Sequence, residues 1–65
     1  MKLIVNGEPR EVRAQTLADL VSELGYTDMP VATAVNLAVV RKKDRNSTPL
    51  HDGDRVEVLV PMQGG

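Results

Sequence analysis

The chain opens with Met1, Leu3 and Val5 in one parity and Lys2 and Asn6 in the other, and only Ile4 breaks the alternation. A period of two puts successive side chains on opposite faces, so this segment reads as a strand with one buried face. Asn6-Gly7 comes next. Both central positions of a type I′ turn need positive φ, which these two residues tolerate best, so a tight hairpin is predicted. The return strand is expected over Arg10 to Ala14, where Glu11 and Arg13 alternate with Val12 and Ala14. Pro9 has no N–H to give to a ladder, which places that strand at the sheet edge. Thr16 then reads as an N-cap, with Asp19 three residues on, where an acid suits the positive end of a helix. Leu17, Leu20, Val21 and Leu24 recur at helical spacing, and Gly25 stands where a left-handed C′ residue is needed. A helix of about two turns is predicted, too short to persist unless its apolar stripe packs on the sheet.

Tyr26 to Pro30 reads as a connection and Val31 to Asn36, rich in β-branched and small residues, as a third strand. Leu37 to Val40 either continues it or begins a short extra strand. Arg41 to Pro49 holds four basic residues, Asp44 and an Asn-Ser-Thr-Pro run, the composition of an exposed loop with its charges in water. Asp52-Gly53-Asp54 is a turn, and in Arg55 to Val60 the residues Val56, Val58 and Val60 alternate with Arg55, Glu57 and Leu59, a last strand buried on one face. Pro61 ends it, leaving residues 61–65 as a flexible tail on a single domain of residues 1–65. Hairpin, helix, strand, loop, strand is the order of an α+β fold. If the helix crosses the sheet, the last strand lies beside and parallel to the first, with the second and third strands outside. That is a β-grasp: a mixed sheet of four to five strands with one helix on one face.

Composition narrows the chemistry. A chain of 65 residues buries one modest core and leaves no room for a pocket walled on every side. The absence of cysteine excludes a disulfide framework, a thiolate zinc site and a cysteine nucleophile. Eight Lys and Arg against nine Asp and Glu give a formal charge of −1, and Tyr26 is the one aromatic. Neither the positive field nor the stacking faces of a nucleic-acid binder are present. Val31 to Val40 is far shorter than a membrane span, and the N-terminus lacks the pattern of a signal peptide, so no membrane partner and a cytoplasmic location are expected. His51 with Asp52 and Asp54 has the residue types of a base or metal site, but three polar residues at a turn usually serve the turn. Arg41, Lys42, Lys43 and Arg45 read as a solvated loop, or as a patch for phosphate or an acidic partner.

End to end, the chain resembles the thiamine-biosynthesis sulfur carrier family of ubiquitin-like proteins. The resemblance rests on Val5-Asn6-Gly7-Glu8, Thr16-Leu17 with Leu20, Leu24-Gly25, Val31-Ala32, Val35-Asn36, Leu50, Gly53-Asp54-Arg55-Val56-Glu57 and the final Gln63-Gly64-Gly65. Two departures from the family pattern are Leu37, where a Gly often follows the Asn, and the lack of a Trp before Leu50. The resemblance implies that the chain is not an enzyme but a co-substrate of others. A partner adenylyltransferase, using ATP and magnesium that this chain does not itself bind, makes an acyl-adenylate at Gly65. A sulfur donor protein converts this to a thiocarboxylate, and thiazole synthase takes the sulfur. With no cysteine in the chain, sulfur can sit only on Gly65. Gly64 and Gly65 lack Cβ atoms, so the tail can thread a narrow channel to a partner's nucleotide. The small subunit of molybdopterin synthase, a ubiquitin-like covalent modifier and a plain interaction module remain alternatives.

Parity suggests a partner surface. If Met1, Leu3, Val5, Val56 and Val58 face the helix, Ile4 and Leu59 emerge on the opposite face of two central strands. They are expected side by side as docking anchors, with Arg55 and Glu57 as a polar rim and Met62 and Gln63 continuing toward the tail. For Met62, a partner contact and a last core residue both stay open.

Overall fold

The structure, a computed structural model, describes residues 1–61. The elements run β1 (Lys2–Val5), β2 (Glu8–Glu11), α1 (Leu17–Glu23), β3 (Ala32–Val35), β4 (Ala38–Val40), a 3-10 helix (Lys42–Ser47) and β5 (Arg55–Leu59). The five strands form one sheet in the order β2-β1-β5-β3-β4. β1 and β5 are parallel and central, while β1–β2, β3–β5 and β3–β4 are antiparallel. With α1 covering one face, this is the β-grasp arrangement. Among the described residues, no helix is long and apolar enough to cross a membrane.

Asn6 and Gly7, at φ 51° and 84°, make the expected tight turn. A two-residue turn forces Val5 to pair with Glu8, so β2 begins there and ends at Glu11 rather than running from Arg10 to Ala14. Pro9 lies in the ladder on the outermost strand, where its missing N–H costs no bond. Val12 and Ala14, though past the strand, are buried. The Val12 N–H donates to the Met1 carbonyl, and the Arg13 and Ala14 N–H groups donate to the Glu23 carboxylate at the end of α1. A side chain thus replaces the ladder where the chain leaves the sheet for the helix.

Thr16 caps α1, its Oγ1 accepting from the Asp19 N–H at 3.2 Å. At the other end Gly25, at φ 89°, donates to the Ser22 carbonyl while Tyr26 N–H reaches back to the Val21 carbonyl. These two bonds are a Schellman motif, which explains why the helix stops where the glycine stands. Leu17 and Leu20 are fully buried and Val21 nearly so, against Leu3, Val5, Val56 and Val58. Leu24, the C-cap, is only half-buried, and the core takes in Ala14, Val31 and Leu50 in addition to the expected stripe.

The larger departure is at Arg41 to Pro49. This is no open loop: residues 42–47 wind into a 3-10 helix packed beside α1. Ser47 and Thr48 hydroxyls donate to the Asp44 carbonyl, and Arg41 pairs with Asp44 at 3.6 Å. Arg45 is buried, donating from Nε to Thr33 Oγ1 at 3.0 Å and from Nη2 to the Val31 carbonyl at 2.6 Å. Most of the Arg45 side chain is therefore out of water, because the carbonyl of Val31 and the hydroxyl of Thr33 receive two of its donors under the sheet.

Asn36 and Leu37, at φ 49° and 73°, form a second tight hairpin, which makes Leu37 to Val40 a separate strand. A leucine at positive φ costs on the order of 1 kcal/mol or more, and at 82% exposure Leu37 gains little burial in return. Leu37→Gly should therefore stabilise the domain by about 1 kcal/mol, raising Tm by ~4 °C or more, the relief of strain outweighing the added freedom of the unfolded chain. A lower Tm for the variant in thermal denaturation would mean that the side chain makes a stabilising contact.

Candidate functional site

β5 is the strand that leads toward the chain end, and both of its ends are held by turn asparagines. At the start, Arg55 N–H donates to Asn36 Oδ1 at 3.0 Å and Asn36 N–H donates to the Arg55 carbonyl at 2.7 Å. Toward the exit, Val58 N–H donates to Asn6 Oδ1 at 2.9 Å and Asn6 Nδ2 donates to the Val58 carbonyl at 3.2 Å. Each asparagine tolerates the left-handed backbone of its turn and offers an amide that mimics a peptide group, so one residue type performs both tasks. Beyond Leu59, Val60 and Pro61 are exposed. Met62, Gln63, Gly64 and Gly65 lie outside the described residues.

The His51 turn has a structural use for its acids. Asp52 Oδ1 accepts the Lys2 N–H at 2.7 Å, anchoring the start of β1, and Asp54 Oδ2 accepts the His51 N–H at 2.8 Å. Partial burial raises the Asp54 carboxyl, but hydrogen bonds from Asn36 Nδ2 and the His51 N–H, with the His51 side chain 3.7 Å away, outweigh it and hold the carboxyl below its ordinary value. The acids are engaged in closing the turn and joining it to two hairpins.

The open face of the sheet departs from the expected docking geometry. Ile4 pairs with Arg55 across β1 and β5, and with Pro9 across β2, so it is half-buried between them. Leu59 is on the same face but four residues further along β5, about 13 Å away at the rise of a strand. Ile4 and Leu59 are therefore not side by side. The register instead places Leu59 opposite Ala32, and Glu57 and Val39 on either side of Ala34. Ala32, Ala34, Val39, Glu57 and Leu59 surround an open depression of about 140 Å³ in which small alanines leave the floor low. Leu59 is 64% and Val39 81% exposed. Glu57 thus belongs to the patch and Arg55 to its far end beside Ile4. Ala32 and Ala34 take their places through the pairing of β3 with β5, whereas Val39 joins the face only because Asn36-Leu37 is a turn. The signal was the lone Asn before an apolar pair, without the glycine that ordinarily marks such a hairpin.

Comparison with known proteins bears on what this central strand and its open face serve. Residues 3–65 match the ThiS family. The chain is 39% identical over 61 residues to a sulfur carrier protein ThiS of Thermus thermophilus, covering 94% of this chain and 95% of that one. It is 38% identical over 66 residues to a thiazole synthase of Paramagnetospirillum magneticum, covering all of this chain but 20% of that protein. A thiazole synthase of Magnetococcus marinus is 36% identical, again with 20% of its length covered. Among solved structures, the crystal structure of a thiamine biosynthesis protein ThiS from Geobacter metallireducens superposes with a TM-score of 0.80 at 35% identity, covering both chains fully. The solution structure of a thiamine biosynthesis protein from the same organism gives 0.84 at 33% identity, over all of this chain and 88% of that one. The matched span takes in the hairpins that clamp β5, the helix that covers it and the Gly-Gly to which it leads, and the chain belongs to the ThiS family.

Proposed function

We propose that this chain is a sulfur carrier for thiazole formation in thiamine biosynthesis, with Gly65 as the atom-bearing residue. The observation that carries the reading is the family match reaching residue 65, so that it includes Gln63-Gly64-Gly65 as well as the fold. A carboxylate is a poor electrophile and is ionised at neutral pH, so it must be activated. The Gly65 carboxylate attacks the α-phosphate of ATP held with magnesium by an adenylyltransferase, and pyrophosphate leaves. Sulfur delivered at the sulfide level by a donor protein then displaces AMP, leaving a thiocarboxylate. Thiazole synthase accepts the sulfur, a partnership supported by relatives in which a region like this chain is part of a thiazole synthase. Incubating the chain with its adenylyltransferase, ATP and a sulfur source should replace one oxygen by sulfur in the intact mass, located in the C-terminal peptide. An unchanged mass, with ATP consumed, would refute the reading.

The docking surface in this proposal is the Leu59, Val39 and Ala34 patch, not Ile4. It lies on the strand that feeds the tail, and Gly65 is six positions beyond Leu59, a reach of roughly 20 Å. An exposed apolar cluster rimmed by Glu57 has the make-up of an interface centre. Replacing Leu59 and Val39 with Ser should weaken adenylyltransferase binding by ~2 kcal/mol or more in calorimetry while leaving the melting temperature nearly unchanged. Ile4→Ala should change binding little. The reverse ranking would move the docking face to the β1 side.

A further inference from the structure

The cleft between α1 and the 3-10 helix, on the opposite side of the domain from the docking patch, is lined by Ala18, Val21, Ser22, Thr27, Lys42, Arg45 and Asn46. Its volume of about 190 Å³ is below that of sites for drug-sized ligands, so any occupant is small. Its chemistry is one-sided: two cations, two hydroxyls and an amide line it, and no carboxylate does among the described residues. Arg45 is the unusual member. It is 8% exposed, yet no ion pair among the described residues includes it, and its two hydrogen bonds go to neutral oxygens. Only the donors on Nε and Nη2 are engaged, and since no buried side-chain nitrogen among the described residues lacks a partner, Nη1 is the part of the guanidinium left open to solvent. The carbonyls at the end of α1, which would repel an anion, are already occupied: Leu20, Val21 and Ser22 accept from Leu24, Tyr26 and Gly25.

We propose that this cleft binds a phosphoryl group, with Arg45 as the fixed cation, reached through Nη1, and Lys42 as the exposed one beside it. Arg45 is held from behind by Thr33 and Val31, which orients the guanidinium in advance and reduces the ordering cost of binding. On the far wall the Thr27 hydroxyl donates to Ser22 Oγ at 3.3 Å, which leaves the Ser22 O–H as the hydroxyl donor free to turn to a ligand. The array of donors exceeds what the two oxygens of a carboxylate can use and suits the three of a phosphoryl group.

The test is a titration of the uniformly labelled chain with inorganic phosphate and, separately, with methyl phosphate and acetate, all at constant ionic strength, followed by amide and Arg Nε–H shifts. Saturable shifts confined to Ser22, Thr27, Lys42 and Arg45, stronger with either phosphate than with acetate, are expected. Tighter binding of methyl phosphate would assign the site to a phosphorylated group and tighter binding of inorganic phosphate to the free ion. Lys42→Gln, an exposed change that leaves the core intact, should weaken phosphate by about tenfold, the loss of one charge-assisted contact, with Tm unchanged. Arg45→Lys keeps the charge but loses the planar fork, and is expected to weaken it further if the variant folds. Absence of saturable shifts, shifts equal with acetate, or an affinity unaltered by Lys42→Gln would overturn the proposal.

Discussion

Deleting Gly65 should abolish sulfur loading while leaving Tm within about a degree of the parent. The new terminus, Gly64, would carry the same carboxylate about 3.3 Å short of its station at the nucleotide. A misplacement of even ~1 Å can cost about 10²-fold in rate, so loading measured by intact mass or by pyrophosphate release should fall below detection. The stability half of the expectation follows from where the core ends. Every buried apolar residue among those described lies between Leu3 and Val58, and the backbone clamp of Asn6 on Val58 closes the sheet before the tail begins. A large drop in Tm on deletion would mean that the tail belongs to the core, and retained loading would place the reactive carboxylate elsewhere.

Leu20→Ala is expected to be the most damaging single truncation for stability. Leu20 is fully buried in the middle of the α1 stripe, packed with Leu3, Leu17 and Val56 in the core cluster. Losing its isobutyl group removes transfer energy and leaves a cavity, together costing about 2 to 5 kcal/mol. At roughly 0.05–0.15 kcal/mol per residue, a domain of this size has only about 3 to 10 kcal/mol of stability. Tm should fall by more than ~10 °C, and the variant should populate unfolded chain at modest urea. Leu24→Ala, at the half-buried C-cap, should cost about 1 kcal/mol, so the ratio of the two in chemical denaturation tests the assignment of the stripe. Equal effects would mean that the helix is rotated on the sheet.

The two tight hairpins separate what is written locally from what is not. Asn6-Gly7 announces its turn because both residues prefer the backbone it requires. Asn36-Leu37 makes the same turn with a leucine at φ 73°, and no local preference announces that. The turn forms because β3 must pair with both β5 and β4, and the bonds from Asn36 to Arg55 fix the corner. The expected strand at Arg10 to Ala14 failed for a related reason. Val12 and Ala14 alternate as a strand would, but their alternation serves burial beyond the sheet, with Glu23 supplying the acceptor that a ladder would have given.

By itself, then, the order of residues determined the β-grasp, through the period of two in β1 and β5, the four-residue apolar stripe of α1 and the caps at Thr16 and Gly25. These are local signals, each tied to one backbone geometry. It also excluded some chemistry, since a sequence with no cysteine can hold no persulfide or thiolate site of its own. Only the tertiary structure decided which side chains share the open face of the sheet, and the fate of Arg45. Parity says which face a side chain takes but not how far along a strand its neighbour lies, and register placed Leu59 beside Ala32 and Val39, not Ile4. Likewise a run of basic residues reads as solvated until the chain supplies, from β3 and the residue before it, oxygens that can hold one of them under the sheet; Val31 and Thr33 are remote in sequence from Arg45, and only the fold brings them to it.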